Sequence, residues 1–401
     1  MSVLLRQVTL RNYKSIGQCK VDLSGLNVLV GPNGSGKSNF IDALRLVSES
    51  LSETLDYAIR QRGGIGEVRR RSGGHPSHFA ISLRLRLDED VNASFAFQIG
   101  ALPEGAFRVQ QEQAHISGDG LDEAYYVVQN GHLRKISAQL QAPPKIVEDR
   151  LYLGAMSGLP TFRPLFDALT GMGFYNINPA DIRELQVHDR GTILERSGRN
   201  LSSVVKRLRD ESSQSIERVE DYLRRIVPGI EGVEHRQLGP RETLEFRQEV
   251  QGQKHPWRFY AAAMSDGTLR SLGVLTALYQ FAGGGPGPIP LVAIEEPEST
   301  VHPAAAATIM DAVLEASKRG QIIATTHSPD LLDHDGLDPA QLIAVTKTGG
   351  ETLLAPVDDA SISVIRQNLY TPGELLRQNQ LHPAPASENN TVRQTDLFEN
   401  I

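Results

Sequence analysis

The sequence predicts an α/β fold with a mixed, mostly parallel sheet and an inserted lobe that is rich in strands and helices. Short apolar runs read as buried strands, "LNVLV" at residues 26–30, "LVAIEE" at 291–296 and "QIIATTH" at 321–327. Helical apolar spacing follows the first run over residues 40–51, and a helix at 303–317 separates the other two. Short apolar strands that alternate with helices are typical of parallel sheets.

The inserted lobe is predicted from patterns of period two. Ile81, Leu83, Leu85 and Leu87 form one alternating stripe, and Phe95, Phe97 and Ile99 form the next, which indicates a β-meander. Two further strands are predicted, one at 3–10 and a weak one at 20–24. Helices are predicted at 161–172 and 268–282, and a helix pair at 200–227 is broken at "DESSQS". Hairpins are predicted to turn at Asn130-Gly131 and at "LGPRE". The Gly- and Arg-rich stretch 60–78 is predicted as loop.

These elements predict a core with insertions. Residues 1–60 and 261–378 are expected to form the core, completed by the β-rich segment 79–185. Residues 186–260 are expected to form an arm of helices and a hairpin. The polar, proline-containing stretch 379–401 is expected to be a disordered tail.

Composition narrows the class of protein. The chain has 401 residues and a net charge of −7, so any binding of nucleic acid must come from local basic patches. Its single cysteine, Cys19, excludes an internal disulfide and a cysteine-based zinc site. No signal peptide or membrane-length apolar run is found, and we expect a cytoplasmic protein.

The stretch "GPNGSGKS" matches the pattern G-x-x-x-x-G-K-[ST] of a phosphate-binding loop. A predicted strand precedes it and a predicted helix follows, as this loop requires. We expect main-chain amides to surround the phosphates, Lys37 to reach the β- and γ-phosphates, and the Ser38 hydroxyl to coordinate Mg²⁺. The predicted nucleotide contacts are Gly31, Pro32, Asn33, Gly34, Ser35, Gly36, Lys37, Ser38 and Asn39.

Two further motifs carry groups that phosphate hydrolysis needs. Glu295 and Glu296 end an apolar strand, and we assign Glu295 to the metal and Glu296 to the attacking water. His327 follows the next buried strand, where open α/β sheets place ligands, and it would hydrogen-bond the γ-phosphate.

The stretch "MSDGTLRSLGVLTAL" admits two interpretations. Ser265 and Gly267 open a helix, so the free amides and the hydroxyl form an anion-binding end. Read in isolation, the serine is better interpreted as an ordinary N-cap.

The order of "NYKS", "GPNGSGKSN", "MSDGT", "IEEPE…VHP" and "TTHSPDLL" resembles the ATPase heads of the ABC superfamily. The resemblance is to the RecF-, SMC- and OLD-like branch, and within it to stand-alone predicted AAA-family ATPases of bacteria. It implies a P-loop NTPase with ATP and Mg²⁺ as cofactors. It also implies a head-to-tail homodimer, in which Ser265 and Gly267 of one subunit close over the γ-phosphate held by the other.

Three departures from the pattern of these relatives concern the site. The strand ends in Glu-Glu where many relatives have Asp-Glu, which would move the metal or slow turnover. The signature Ser-Asp-Gly-Thr differs from that of transporters. The glutamine of the usual Q-loop has no clear counterpart, and Gln186 is the only candidate we name.

What the ATPase would drive is left open by the sequence. Arginines surround glycines at Arg60, Arg62, Arg69, Arg70 and Arg71, where they would bind DNA phosphates, nucleotide or a partner, or form a solvated basic loop. Basic residues on the arm helices read as an exposed helix face, at Lys206, Arg207, Arg209, Arg218, Arg224 and Arg225. Asp88 and Asp90 read as a hairpin turn and not as a metal pair. A nuclease partner would therefore be a separate protein.

The stretch "QTDLF" resembles a sliding-clamp-binding motif, with Gln394 and the pair Leu397 and Phe398 as anchors. We therefore expect an ATPase that acts in DNA repair or antiviral defence, through DNA or a partner, and without a membrane. The alternatives are a regulatory or scaffold protein that binds ATP with little hydrolysis, and a transporter ATPase subunit.

Overall fold

The computed structural model describes residues 3–72, 76–120, 122–137, 143–280, 290–385 and 394–398. The chain divides into two compact units. The first contains residues Met1–Met172, Ala340–Arg366 and Asn379–Ile401, and the second contains Gly173–Pro339 and Gln367–Gln378.

The first unit is built on one sheet. Its strands are β1 (Leu4–Tyr13), β2 (Ile16–Asp22), β3 (Leu26–Val30), β4 (His78–Arg86), β5 (Val91–Ala101), β6 (Phe107–Gly118), β7 (Ala124–Gln129), β8 (His132–Ile136), β16 (Leu342–Thr348) and β17 (Glu351–Pro356). They lie in the order β8-β7-β6-β5-β4-β1-β2-β17-β16-β3. Pairing is antiparallel except between β17 and β2 and between β16 and β3.

The predicted meander is confirmed, with the register that the apolar stripes require. Leu83 pairs with Phe95 and Ile81 pairs with Phe97, and all four side chains are buried. Because side chains alternate across a strand, the intervening residues point to the opposite face. The turn at Asn130-Gly131 joins β7 to β8, and Asn130 has a positive φ of 48° as a tight hairpin turn needs.

Helices complete the first unit: α1 (Lys37–Ser52), α2 (Leu55–Arg60), α3 (Ile65–Val68), α4 (Tyr152–Met156), α5 (Arg163–Thr170), α12 (Asp359–Arg366) and α14 (Gln394–Leu397). The predicted loop at 60–78 is therefore partly helical, because Ile65 and Val68 are buried and close a short turn of helix. Asp88 and Asp90 lie in the turn between β4 and β5, as the sequence predicts.

The second unit has two sheets. Strands β9 (Gly173–Tyr175), β14 (Leu291–Glu295) and β15 (Gln321–Thr326) pair in parallel, in the order β15-β14-β9. Strands β10 (Gln186–Val187), β11 (Ile230–Leu238), β12 (Arg241–Gln248) and β13 (Trp257–Tyr260) form an antiparallel sheet around β12. Its helices are α6 (Pro179–Arg183), α7 (Leu201–Glu211), α8 (Ser213–Ile226), α9 (Asp266–Tyr279), α10 (Pro303–Ala316), α11 (Pro329–Leu332) and α13 (Pro372–Arg377).

The compact units differ from the expected core, arm and tail. The β-rich segment joins the N-terminal strands in one unit, because β4 pairs with β1 along most of its length. The arm joins the strands after residue 261 in the other unit, because α8 packs on α9 and α10. Among the described residues, no helix is long and apolar enough to cross a membrane.

The C-terminal segment also differs from the expected disordered tail. Residues 394–397 form α14, and the side chains of Leu397 and Phe398 are buried, at 1% and 5% exposure. They cluster with Ala80 of β4 and Ala96 of β5. Because the segment is polar overall, its composition did not predict that two of its apolar residues would pack on the sheet.

Candidate functional site

The phosphate loop has the backbone that its sequence predicts. Strand β3 is buried throughout, and α1 begins at Lys37 directly after the loop. Gly36 has φ of 109°, a conformation that side chains disfavour, and a Cβ there would meet Thr352 Oγ1 at 2.2 Å. A Cβ at Gly31 would lie 2.0 Å from the carbonyl oxygen of Val345. Both glycines are therefore required by the path of the chain.

A chain of hydrogen bonds holds this loop on neighbouring strands. Thr352 Oγ1 donates to the Ser35 carbonyl oxygen at 2.7 Å, so Ser15 Oγ must donate to Thr352 Oγ1, also at 2.7 Å. Asn39 Nδ2 donates in turn to Ser15 Oγ at 2.6 Å. Ser15 lies in the quoted "NYKS" motif, yet sequence reasoning gave it no role, and nothing in one sequence singled out Thr352.

The loop and the start of α1 carry the groups that an anion requires. Lys37 is buried, at 6% exposure, and its ammonium donates to the carbonyl oxygens of Gly31 at 2.6 Å and Pro32 at 3.1 Å. Helix α1 has no side-chain cap and no acidic residue in its first turn. The amino end of a helix carries partial positive charge and suits an anion. The Ser38 side chain is exposed and Ser35 Oγ is buried without a hydrogen-bond partner among the described residues.

A buried ionic cluster around Asp42 holds α1 in place. The Asp42 carboxylate accepts hydrogen bonds from Tyr13 and Arg62 and forms ion pairs with Lys14 and Arg45. Burial by itself would raise the pKa of Asp42, but the neighbouring cations, Arg62 first, outweigh it and hold that pKa below its ordinary value. The cluster ties α1 to the turn after β1.

In the second unit, the structure brings two predicted catalytic residues together. Glu296 follows β14 and His327 follows β15, and Glu296 Oε1 lies 3.1 Å from His327 Nδ1. Both side chains are partly exposed. Glu296 has a positive φ of 46°, and its amide donates to the Thr325 carbonyl oxygen at 3.0 Å. The parallel pairing of β14 with β15 places both residues at the same edge of the sheet.

The predicted metal ligand has a partner that the sequence did not reveal. Glu295 Oε1 accepts a hydrogen bond from Arg196 Nη2 at 2.9 Å. Arg196 lies outside the second unit's helices and strands, in a loop with no motif, so no sequence signal marked it. A guanidinium at this carboxylate competes with a cation for it.

A second buried acid supports the turn at His327. Glu298 is 8% exposed and accepts a hydrogen bond from Thr326 Oγ1 at 2.5 Å, and Thr326 Oγ1 accepts one from the Ser328 amide at 2.9 Å. Burial raises the pKa of Glu298. Glu298 belongs to the quoted "IEEPE" motif, but its role depends on a contact with β15 that the sequence does not show.

The signature residues form the N-terminus of α9. Ser265 caps the helix and accepts a hydrogen bond from the Thr268 amide at 3.2 Å, so the capping interpretation is confirmed. Its side chain is also exposed, as contact with another subunit would need. A Cβ at Gly267 would lie 2.7 Å from the Thr300 carbonyl oxygen, which explains the glycine. A role for Ser265 and Gly267 at a partner's nucleotide stays a prediction.

Gln186 is not available as a Q-loop glutamine. Its side chain is buried, with Oε1 accepting from the Ser202 amide at 2.8 Å and Nε2 donating to the Gly198 carbonyl oxygen at 3.3 Å. It caps the start of α7, and this structural role replaces the predicted one.

The arginines of 60–71 form ion pairs or hydrogen bonds within the chain, and Arg62 is buried in doing so, whereas Arg60 and Arg71 stay exposed. Four of the arginines pair with carboxylates and one donates to a carbonyl: Arg60 to Asp56, Arg62 to Asp42 and Glu49, Arg70 to Glu351, Arg71 to Glu67, and Arg69 to Pro76. Arginines on the arm helices are likewise paired: Arg207 with Glu211, Arg209 with Glu220, Arg218 with Glu315, Arg224 with Asp221, and Arg225 with Asp311.

The residues present fit Mg²⁺ bound together with a nucleotide. Mg²⁺ is usually held by one or two protein ligands plus substrate phosphates, and not by an all-protein cage. Among the described residues, no group of three or more His, Cys, Asp or Glu is arranged to hold a metal ion. The exposed Ser38 hydroxyl and the Glu295 carboxylate are oxygen donors of the required kind.

Two family models match the chain. Residues 4–92 match the family described as "AAA ATPase domain". Residues 152–333 match the family described as "AAA domain, putative AbiEii toxin, Type IV TA system".

Curated relatives match over parts of their length. The chromosome partition protein Smc of Methanocaldococcus jannaschii is 31% identical over 107 residues, which is 26% of this chain and 8% of that protein. The DNA replication and repair protein RecF of Streptococcus uberis is 30% identical over 93 residues, 21% of this chain and 24% of that protein. The chain thus spans less than a quarter of the length of these relatives.

Solved structures share the fold. An Smc head domain with an extended coiled coil from Pyrococcus furiosus, bound to the C-terminal domain of ScpA, has a TM-score of 0.56 at 13% identity. The match covers 92% of this chain and 99% of that one. An Smc head bound to the C-winged helix domain of ScpA has a TM-score of 0.52 at 15% identity, over 88% of this chain and 97% of that one.

The phosphate loop and the two family-model matches support one class, a P-loop ATPase with an ABC-type head, and the solved structures share its fold. The partial matches to Smc and RecF support a likeness to the RecF/SMC-like branch of that class. The resemblance found in the sequence is therefore confirmed.

Replacing Thr352 by valine tests the support of the phosphate loop. Valine keeps the shape of Thr352 but leaves the Ser35 carbonyl without its donor. A lost buried hydrogen bond costs ~1 kcal/mol or somewhat more, so we expect ATP to bind about fivefold to tenfold more weakly. Equilibrium binding of a fluorescent ATP analogue measures this, with Thr348→Val, an exposed threonine on β16, as the matched control. Equal affinity in both variants would show that Thr352 does not support the loop.

Proposed function

We propose that the chain binds Mg²⁺–ATP at the loop Gly31–Ser38 and hydrolyses it. One observation carries the proposal: a left-handed glycine loop lies between the buried strand β3 and the uncapped amino end of α1. Lys37 would hold the β- and γ-phosphates, while Ser38 and Glu295 would hold the metal. The bound ion would supply electrostatic stabilisation of charge on the phosphates.

The proposal assigns the acid–base chemistry to the second unit. Glu296 would orient and deprotonate the attacking water, and His327 would hydrogen-bond the γ-phosphate. The 3.1 Å contact between their side chains supports this assignment, because it holds the two groups at one edge of the sheet. Both side chains are partly open to solvent, as groups that meet a substrate must be.

Two copies of the chain would associate when ATP is bound. The exposed Ser265 hydroxyl and the amino end of α9 would contact the γ-phosphate held by the other copy. Hydrolysis would remove that shared ligand and release the pair.

The ATP cycle would act on DNA or on a partner that acts on DNA, such as a separate nuclease, in DNA repair or antiviral defence. The names of the relatives, chromosome partition and DNA replication and repair, support this direction. We place the DNA contact at a groove of about 300 Å³ on the first unit, which is lined by Arg6 and Arg84 together with His115, Asn92, Ser94 and Ser117. The two guanidinium groups suit a phosphate backbone.

A second candidate function is a regulatory ATP-binding protein with slow turnover. The ion pair between Arg196 and Glu295 favours it, because the guanidinium neutralises the carboxylate assigned to the metal. Turnover measurements separate the two candidates.

Replacing Glu296 by glutamine tests the catalytic assignment. We expect the rate of phosphate release to fall by about 10²-fold or more, because a general base contributes that much. ATP-dependent dimers should persist, which light scattering coupled to size exclusion would detect. Glu217→Gln, an exposed glutamate on α8, is the control. Unchanged turnover in Glu296→Gln would show that the assignment of the base is wrong.

The DNA contact is tested by turnover with and without double- and single-stranded DNA. We expect DNA to stimulate the wild-type rate several-fold at low salt and less at high salt, since phosphate contacts release counterions. The double variant Arg6→Glu, Arg84→Glu should lose this stimulation but keep its basal rate. The matched control is Arg60→Glu, Arg71→Glu. Neither stimulation nor binding in the wild-type protein would favour a protein partner instead.

A further inference from the structure

Arg270 is a buried arginine on the signature helix α9, and the proposed chemistry does not use it. Its side chain is 7% exposed. Nη2 donates to the carbonyl oxygens of Glu295 and Glu296, each at 3.0 Å, and Nη1 donates to that of Ile177. The guanidinium therefore binds the main chain of both glutamates and neither of their carboxylates.

Glu296 needs such support because its backbone is strained. Its φ of 46° lies in the left-handed region, which residues with a side chain disfavour. The amide of Glu296 donates to the Thr325 carbonyl, and the carbonyl of Glu296 accepts from Arg270 and from the Ser299 amide, each at 3.0 Å. A strained residue persists where its surroundings determine it from several sides. Arg270 is the side chain among these restraints that holds the carbonyls both before and after Glu296.

The electrostatic setting agrees with this geometry. Burial lowers the pKa of the Arg270 guanidinium, and the charges of Glu296, Glu298 and Glu295 oppose that shift. A guanidinium offers several donors in a fixed fork, whereas a lysine ammonium is a single point charge. Lysine at this position would thus reach only some of the three carbonyls.

We propose that Arg270 is a positioning residue, which sets the orientation of Glu296 by holding the main-chain carbonyls of Glu295 and Glu296, before and after that residue. This inference rests on the proposed function in assigning Glu296 as the base. Since Arg270 lies on the helix that begins at Ser265, it also links the signature to the acidic strand end within one unit.

The kinetic test compares Arg270→Gln and Arg270→Lys with the wild-type protein. We expect kcat to fall about tenfold to 100-fold in Arg270→Gln and less in Arg270→Lys, while KM and nucleotide affinity change by less than about twofold. Arg207→Gln is the matched control, because Arg207 is also largely buried and donates to main-chain carbonyls, those of Gly191 and Gln280. When Arg270→Gln is added to Glu296→Gln, kcat should fall little further, since both substitutions disable the same base. Additive losses in kcat would overturn the proposal.

Hydrogen–deuterium exchange decides the claim without relying on turnover. Peptides that cover residues 291–302 should exchange faster in Arg270→Gln than in the wild-type protein and the Arg207→Gln control. Unchanged exchange in Arg270→Gln would overturn the positioning role, even if that variant were inactive. Absence of turnover in the wild-type protein would contradict the proposed function, and the exchange result would still decide whether Arg270 holds the turn.

A second, independent observation concerns the C-terminal segment. Ala80 and Ala96 lie on the outer face of the sheet, opposite the core face that carries Phe79 and Phe97, yet they are 0% and 1% exposed. They are buried in a cluster with Leu397 and Phe398. Asp396 adds an ion pair with Lys20 of β2 at 2.8 Å. The outer face thus carries a small apolar seat, formed by Ala80 and Ala96 and occupied by Leu397 and Phe398.

We infer that this seat is a reversible peptide-binding site whose ligand is the chain's own C-terminal segment. Among residues 394–398, two large apolar side chains, Leu397 and Phe398, contact the sheet, and the ion pair of Asp396 with Lys20 is partly exposed. Exposed ion pairs contribute little. Docking therefore withholds Leu397 and Phe398 from any partner, including the sliding clamp suggested by the sequence. The side chain of Gln394, the third anchor of that motif, lies outside the described residues.

A labelled peptide of residues 391–401 tests this inference on the full chain. The variant Leu397→Ala, Phe398→Ala, with its seat open, should bind the peptide at least tenfold more tightly than the wild-type protein, in which the segment competes. The same peptide with both alanines should not bind, and Ala96→Leu in the open variant should block binding. Circular dichroism checks that each variant is folded. Absence of binding to the open variant, or equal binding to both proteins, would overturn the inference.

Discussion

The path of the main chain through the phosphate loop is the constraint on which the rest of the first unit depends. Gly36 turns through the left-handed region against Thr352, and Gly31 passes against the Val345 carbonyl, so strands β16 and β17 form the floor of the loop. The hydrogen bonds from Asn39 through Ser15 and Thr352 to the Ser35 carbonyl join that floor to α1. Residues more than 300 positions away in the chain thus set the geometry of a motif of eight residues.

In the second unit, buried polar groups hold the turns that carry Glu296 and His327. Arg270 binds the carbonyls of the Glu295–Glu296 turn, and Glu298 with Thr326 fixes the turn at His327. These polar groups are buried, and a buried charge or amide without a hydrogen-bond partner costs free energy. Each side chain therefore holds its partners in a narrow range of positions. The two partly exposed residues, Glu296 and His327, are supported from beneath by residues that a substrate would not touch.

Many of the arginines form ion pairs or hydrogen bonds within the chain. The arginines that the sequence offered as DNA contacts pair with acidic residues or carbonyls, and Arg62 lies in the ionic cluster that fixes α1. A protein with net charge of −7 has acids in excess to satisfy them. Arg6 of β1 and Arg84 of β4 are far apart in the sequence. The pairing of these two strands brings both arginines to one groove.

The sequence by itself determined the class of fold, the phosphate loop and the identity of the acids and histidine that follow buried strands. Those features depend on local pattern: period-two and helical spacing, glycines where the chain must turn, and motifs of fixed spacing. Only the tertiary structure decided that Thr352 supports the loop, that Arg270 and Glu298 hold the turns at Glu296 and His327, that Arg196 pairs with Glu295, and that Gln186 is structural. It also decided that Leu397 and Phe398 dock on Ala80 and Ala96. These contacts join residues far apart in the chain, and no local propensity encodes which buried donor will meet which acceptor once the strands have paired.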